Sequence, residues 1–144
     1  LEYINEFGGG YGAMALVAHR LGFTGRYTIY DYPEMCLLQQ YFLSGEGVNK
    51  VDSVSDIGDL PRGPADLLLC MSSLSEANPL DRERYLKALT ARSMLFFYQD
   101  RFDQWDNVDY FQAYGKRHPE WTWTHFNPYP VAQAEMWYTL AVGK

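Results

Sequence analysis

The stretch Glu6-Phe7-Gly8-Gly9-Gly10-Tyr11-Gly12 decides the fold that this sequence predicts. A short strand is expected before it, over Tyr3 to Phe7, and a helix after it, over Ala13 to Leu21. Glycines let the chain turn sharply and let a ligand approach the backbone without a Cβ clash. The unpaired N–H groups where the helix begins suit a polar or anionic group. A tight turn with no ligand is the simpler interpretation of a glycine cluster alone.

A second feature is the acidic residue that follows the next strand. That strand is predicted over Arg26 to Tyr30, and Asp31 closes it, 19 residues beyond Gly12. In a strand–helix–strand unit the tip of the second strand lies beside the first loop, where a carboxylate can accept hydrogen bonds from both hydroxyls of a ribose. The alternative is that Asp31 caps the helix that Pro33 begins.

The rest of the chain alternates short apolar runs with helical segments, which is typical of a parallel sheet covered by helices. Further strands are predicted over Val51–Ser55, Asp66–Met71, Ser93–Tyr98, Thr122–Phe126 and Glu135–Val142. Further helices are predicted over Pro33–Leu43, from the Asn78-Pro79 cap to about Ala91, and over Asp106–Lys116. A loop at Asn127-Pro128-Tyr129-Pro130 joins the last two strands. The pattern therefore predicts an α/β fold with seven strands.

Composition limits the classes of protein that this chain can represent. With 144 residues, 47% of them hydrophobic and 17% aromatic, it can bury the core of a single domain. The net charge of −6 disfavours a nucleic-acid partner, because a nucleic-acid binder needs basic side chains to neutralise phosphates. No apolar run approaches the ~18 residues of a membrane span, so no membrane partner is expected.

The remaining reactive side chains predict neither a metal site nor a redox pair. Cys36 and Cys70 lie in apolar stretches without C-x-x-C spacing, which favours buried, reduced thiols in a cytoplasmic protein. His19, His118 and His125 are scattered, and their spacing to other ligands matches no metal site.

Because the sequence begins Leu1-Glu2-Tyr3, we expect a fragment of a longer protein.

Aromatic residues are concentrated in the C-terminal third of the chain, where they can either fill the core or stack on a sugar. Core packing is the favoured interpretation, and an exposed remainder would mark a homodimer surface or the place where a preceding segment docks. The residues are Trp105, Tyr110, Phe111, Tyr114, Trp121, Trp123, Tyr129, Trp137 and Tyr138.

The glycine-rich stretch and Asp31 together resemble the motifs of a known protein family. Glu6 to Gly12 resembles the first motif of class I S-adenosylmethionine-dependent methyltransferases, an acidic residue followed by G-x-G-x-G, and Asp31 matches that family's ribose-binding acid. Cys70-Met-Ser-Ser-Leu-Ser-Glu76 and Asn127-Pro-Tyr-Pro130 look most like the sugar O-methyltransferases. The resemblance implies a Rossmann-like three-layer sandwich whose mostly parallel, seven-stranded sheet has an antiparallel last strand. The family usually has helices before its first strand, which the printed sequence lacks.

The resemblance also implies a cofactor, S-adenosylmethionine, with S-adenosylhomocysteine as its product. Gly8 and Gly10, in the glycine loop over Gly8–Gly12, would pass close to the methionine part, and Glu6 would order that loop or the amino group of the cofactor. Asp31 would hold the ribose, and Tyr32 would lie against the adenine. Ser55 or Asp56 would meet the adenine amino group, and Met71 and Ser72 would line the sulfonium end. The cofactor-binding residues implied are Glu6, Gly8, Gly9, Gly10, Asp31, Tyr32, Ser55, Asp56, Met71 and Ser72.

The acceptor is expected to be a small molecule or glycan that carries a hydroxyl group. A hydroxyl is a poor nucleophile at neutral pH, so a general base at the carboxyl ends of the strands assists the transfer. Glu76 and His125 are the predicted catalytic residues, and Asp100 is a further candidate by position. Glu76 also fits a purely structural loop, and His125 a half-buried histidine among aromatic neighbours.

Two rival functions are also compatible with the sequence. Gly8-x-Gly10-x-x-Ala13 also satisfies the dinucleotide fingerprint of an NAD-dependent oxidoreductase, with Asp31 again on a ribose. Glu6 disfavours that function, because a dinucleotide fold normally carries an apolar residue there. The chain also lacks the second region that hydride transfer needs. The other rival is a non-catalytic domain that binds a nucleotide cofactor.

Overall fold

A computed structural model of the chain describes residues 1–127 and 136–144. Its strands are β1 (Tyr3–Phe7), β2 (Arg26–Tyr30), β3 (Val51–Val54), β4 (Ala65–Met71), β5 (Ala91–Gln99), β6 (Arg101–Phe102), β7 (Trp105–Asp106), β8 (Trp121–Phe126) and β9 (Met136–Gly143). Its helices are α1 (Ala13–Arg20), α2 (Pro33–Gly45), α3 (Ser73–Glu76), α4 (Pro79–Ala88) and α5 (Asn107–Arg117), with a 3-10 turn over Ile57–Asp59.

Seven of these strands form one sheet in the order β3-β2-β1-β4-β5-β9-β8. The first five are mutually parallel, and β9 runs antiparallel to both β5 and β8. From β1 the chain adds β2 and β3 on one side of the sheet and then β4 and β5 on the other, so the direction of strand addition switches between β1 and β4. Parallel α/β sheets bind ligands at such a switch point, at the carboxyl ends of their strands. The predicted α/β fold, a mostly parallel sheet with an antiparallel last strand, is confirmed.

Alternation along the strands sends side chains to two separate cores. On one face, Ile4, Ile29 and Leu69 pack against α1 and α2. On the other face, a larger core forms around Leu68 and Phe96 and receives side chains of α4 and α5. The result is the predicted three-layer sandwich.

The strand–helix–strand unit at the N-terminus has a fixed register. Tyr3 to Phe7 pair in order with Arg26 to Tyr30, so both strands end together. α2 begins with Pro33 at its first position, as predicted, because proline lacks the N–H that would otherwise be unpaired there. The glycine loop and Asp31 are thereby placed side by side above the same edge of the sheet.

The sequence did not predict three of the short elements, namely α3, the β6–β7 hairpin and the 3-10 turn. The predicted loop over 128–130 and the start of the predicted last strand at Glu135 lie outside the described residues. Within the described ranges, no helix is long and apolar enough to span a membrane. Cys36 and Cys70 are buried free thiols, as predicted.

Candidate functional site

A cavity of about 520 Å³ opens at the carboxyl edge of the sheet, beside the switch point. Three carboxylate side chains line it, those of Asp31, Glu76 and Asp81. None of the described residues that line the cavity is a lysine, arginine or histidine. Its walls come from the ends of the first three strands, from the α3–α4 region and from β6. They are Phe7, Gly8, Tyr30, Asp31, Tyr32, Pro33, Ser55, Ser73, Glu76, Ala77, Asn78, Asp81, Tyr85 and Phe102.

The glycine loop contacts the segment that follows β4 very closely. Gly8 has a φ of 68°, and a Cβ built on it would lie 2.2 Å from the Cβ of Ser73. The Ser73 hydroxyl donates a 2.9 Å hydrogen bond to the Gly8 carbonyl oxygen. Gly10 also has a positive φ, of 55°, but a Cβ there would meet nothing within 4 Å. Gly8 is therefore required by the packing of the protein, whereas the backbone at Gly10 is open on its outer side.

Glu6 lies beneath the loop and is almost fully buried, with 1% of its surface exposed. The Tyr27 hydroxyl donates a 2.8 Å hydrogen bond to its carboxylate, and a Cβ on Gly9 would lie 3.2 Å from the same Glu6 oxygen. Burial raises the pKa of Glu6 to about 7, against the opposing effect of the Tyr27 hydrogen bond. Glu6 therefore supports the loop from below and does not line the cavity.

Asp31 faces the cavity and is also tied to the protein. Its Oδ1 accepts a 2.8 Å hydrogen bond from the Tyr32 N–H, and its Oδ2 accepts one of 2.9 Å from the Gln39 side-chain amide. Burial raises the pKa of Asp31, while these hydrogen bonds act in the opposite direction. Tyr32 is the N-cap of α2 and makes no side-chain capping bond, while the Tyr32 N–H that Asp31 accepts from is a local partner of the kind that the capping alternative predicts.

Aromatic side chains form one wall of the cavity. The rings of Phe7 and Tyr85 have centroids 4.7 Å apart, and Tyr30 and Tyr85 lie 5.8 Å apart. Tyr32, at the rim, is 73% exposed. Such faces suit a planar base or a sugar ring.

The segment between β4 and α4 is held by a buried cation. The Arg82 guanidinium donates hydrogen bonds to the carbonyl oxygens of Ala77 (2.7 Å) and Ser75 (2.6 Å), and it lies over the Tyr110 ring at 4.7 Å. Arg82 is 0% exposed, and burial lowers its pKa. This anchor fixes the short helix α3, whose last residue, Glu76, lies at the cavity mouth.

The structure brings together only part of the predicted site. Gly8, Asp31, Tyr32, Ser55 and Glu76 line the cavity. Gly9, Gly10, Asp56, Met71 and Ser72 lie on the same loops or strand ends but are not part of the lining. The Asp56 side chain accepts a 2.7 Å hydrogen bond from the Gly58 N–H within the 3-10 turn.

Two predicted base positions lie apart from this cavity. His125 is on β8, at the far edge of the sheet, and its Nδ1 lies 2.7 Å from the Thr139 hydroxyl. Burial lowers the pKa of His125. Asp100 follows β5 and does not line the cavity either. The structure thus leaves Glu76 as the predicted base that faces the cavity.

Several residues that shape the site were not singled out from the sequence. Gln39 is a polar residue on the buried stripe of α2, together with Cys36 and Leu43, and this pattern was a usable signal. Arg82 lies in the charged run 81–84, which resembles a solvated helix face. Tyr85 carries no pattern that separates it from other helix residues.

Comparisons with known proteins agree on the fold. No protein-family model and no curated protein matches the sequence. Among solved structures, an rRNA methylase from Streptococcus thermophilus aligns over 99% of this chain and 86% of its own, at 12% identity and a TM-score of 0.72. PigF, solved with SAH, aligns over 98% of this chain and 50% of its own, at 12% identity and a TM-score of 0.74.

An O-methyltransferase family protein from Burkholderia thailandensis aligns over 99% of this chain and 51% of its own, at 10% identity and a TM-score of 0.76. At these identities the similarity concerns the fold alone. The chain has the Rossmann-like fold of these methyltransferases.

Proposed function

We propose that this domain is an S-adenosylmethionine-dependent methyltransferase that methylates a hydroxyl group of a sugar or another small molecule. The observation that carries the proposal is the pairing of Asp31 with the glycine loop at one cavity beside the sheet's switch point. PigF, a structure of the same fold, was solved with SAH. The two other structures described above are named as an rRNA methylase and as an O-methyltransferase family protein, so the fold does not choose the acceptor.

The residues present fit an adenosine-bearing sulfonium cofactor. Asp31 offers a carboxylate for the ribose, Tyr30 and Tyr85 offer aromatic faces, and the outer side of Gly10 is free of side chains. A carboxylate-lined cavity with no cation in its described lining attracts a positively charged sulfonium. The buried Glu6 beneath the loop disfavours NAD, because a dinucleotide fold normally carries an apolar residue at that position.

When bound, the cofactor supplies an activated methyl group. In the transfer, the acceptor oxygen would gain the bond to the methyl carbon, and the electron pair of the broken S–CH₃ bond would stay on the cofactor. Glu76, which lines the cavity, would take the proton of the acceptor hydroxyl.

The acidic lining also bears on the acceptor. A nucleic acid or a phosphorylated sugar would bring negative charge toward Asp31, Glu76 and Asp81, which costs electrostatic free energy. A neutral hydroxyl compound meets no such repulsion. This argument favours a sugar or small hydroxyl acceptor over RNA.

The expected N-terminal helices and the expected homodimer stay predictions. Phe126, Leu140 and Val142 lie on β8 and β9, outside the core that α1 and α2 cover. Each of these side chains is at least 37% exposed. An apolar surface of this kind suits either role.

Calorimetric titration with S-adenosylhomocysteine and, separately, with NAD⁺ tests the cofactor. We expect micromolar binding of S-adenosylhomocysteine and no binding of NAD⁺, and the reverse result contradicts the proposal. Transfer of labelled methyl groups to a panel of neutral glycans, phosphorylated sugars and RNA then tests the acceptor. Cofactor binding without transfer to any acceptor would instead support a non-catalytic binding domain.

A further inference from the structure

The buried side chain of Gln39 joins the two halves of the cofactor site. Its Nε2 donates a 2.9 Å hydrogen bond to the Gly10 carbonyl oxygen and another of 2.9 Å to Asp31 Oδ2. Gln39 is 0% exposed and lies on the inner face of α2. Through these two hydrogen bonds, Gln39 links the glycine loop to Asp31, the acidic residue that follows β2.

Both partners of this amide are hydrogen-bond acceptors, which fixes its orientation. A carbonyl oxygen and a carboxylate oxygen each need a donor, so the NH₂ group must face them. The Oε1 atom then points away, and it is buried without a hydrogen-bond partner among the described residues. A buried unpaired oxygen destabilises a protein.

An apolar side chain of similar length would avoid that unpaired oxygen and would fill the same space on the buried stripe between Cys36 and Leu43. The amide is thus a poor choice for packing alone. It does have a use at the site, because it holds one oxygen of Asp31 against the glycine loop. The other oxygen of Asp31 is held by the Tyr32 N–H.

We propose that Gln39 is a positioning residue, which orients the Asp31 carboxylate and the Gly10 backbone for recognition of the ribose of the cofactor. This inference rests on the proposed function and deepens it. Gln39 itself is buried behind Asp31 and is not among the described residues that line the cavity, so it acts through Asp31.

The test compares two ligands, S-adenosylhomocysteine and its 2′-deoxy analogue, which lacks one ribose hydroxyl. The ratio of their dissociation constants measures how well Asp31 recognises the ribose, whatever the stability of the protein. In the unmodified protein we expect the analogue to bind about tenfold more weakly, as for a hydrogen bond to a charged group. Gln39→Met removes both donors at similar volume, and we expect the ratio to fall to about threefold or less.

Gln39→Glu is the second variant, since it keeps the shape but places a carboxylate beside Asp31. We expect it to weaken S-adenosylhomocysteine binding by about tenfold or more at pH 8, because like charges repel. The matched control is Gln40→Glu, which adds the same charge on the exposed neighbour. The control should leave both the affinity and the ligand ratio unchanged.

The outcomes separate the two proposals. If the unmodified protein binds neither ligand, the proposed function fails. If it binds both with the expected ratio and Gln39→Met keeps that ratio while folded, the inference about Gln39 is overturned. Thermal unfolding of each variant identifies one that has lost its fold. If Gln39→Met does not fold, Gln39→Glu decides: equal affinity for Gln39→Glu and Gln40→Glu overturns the inference.

Discussion

The Ser73 hydroxyl donates a hydrogen bond to the Gly8 carbonyl oxygen, and the two residues are so close that Gly8 has no room for a side chain. This contact joins the loop after β1 to the segment after β4, the two strands that flank the switch point. The glycine loop is therefore shaped as much by its neighbouring segment as by its own sequence.

Gly8→Ala should disrupt this contact. The new Cβ would overlap Ser73, and the φ of 68° is unfavourable for alanine. We expect a loss of at least about 2 kcal/mol in the free energy of unfolding and at least tenfold weaker binding of S-adenosylhomocysteine. Chemical denaturation and calorimetry measure the two effects.

Gly45→Ala is the control for this substitution. Gly45 ends α2 and a Cβ there would meet nothing within 4 Å. Alanine in a helix is more favourable than glycine by about 0.5–1 kcal/mol, so this variant should be as stable as the unmodified protein or slightly more so. Equal behaviour of the two variants would show that the Gly8 contact is not needed.

Asp31→Ala tests the ribose role directly. Removing the carboxylate should weaken S-adenosylhomocysteine binding by about 1–3 kcal/mol, as expected for hydrogen bonds to a charged group. Asp59→Ala, which removes an exposed carboxylate outside the described lining of the cavity, should leave the affinity unchanged. Calorimetric titration provides both numbers. An unchanged affinity in Asp31→Ala would assign Asp31 a structural role in holding the loop.

The sequence predicted the first strand–helix–strand unit almost residue by residue, because strand alternation, glycines and Pro33 all specify the same local structure. It placed Asp31 beside the glycine loop because parallel strands end at one edge of a sheet. It could not place Arg82 in the core, since a charged run of helix residues predicts a solvated face. It placed His125 correctly at the carboxyl end of a strand. It could not give the order of the strands in the sheet, in which β8 is the outermost strand on the side away from β3.

Arg82→Met should loosen the segment between β4 and α4. The substitution leaves the carbonyl oxygens of Ser75 and Ala77 without their buried donors. We expect a loss of about 2 kcal/mol or more in the free energy of unfolding. Arg84→Met, an exposed position on the same helix, should change it by no more than about 0.5 kcal/mol. Chemical denaturation compares them, and a similar small effect for both would remove Arg82 as an anchor.

Glu76→Gln tests the proposed base. The variant keeps its size and hydrogen-bonding reach but cannot take a proton. With an acceptor that the glycan panel identifies, we expect kcat to fall by about 100-fold or more and the affinity for S-adenosylhomocysteine to stay the same. His125→Gln, away from the cavity, should keep its kcat. The opposite pattern would return His125 to the role of base.

The buried Glu6 should make the stability of the protein depend on pH. Burial raises the pKa of Glu6 from 4.5 to about 7, so between these values the folded protein holds a proton that the unfolded chain releases. The free energy of unfolding contributed by Glu6 therefore falls as pH rises from about 4.5 to about 7. Glu6→Gln carries no titrating group and still offers an amide oxygen to the Tyr27 hydroxyl.

We expect Glu6→Gln to gain stability relative to the unmodified protein by up to about 3 kcal/mol between pH 4.5 and pH 8. Denaturant unfolding at several pH values measures that difference, and contributions from other titrating groups cancel between the two proteins. Glu34→Gln, at an exposed position in the first turn of α2, is the matched control for the same chemical change on the surface. A constant difference for Glu6→Gln would mean that the Glu6 carboxylate stays ionised in its buried position, because the Tyr27 hydroxyl compensates for its loss of water.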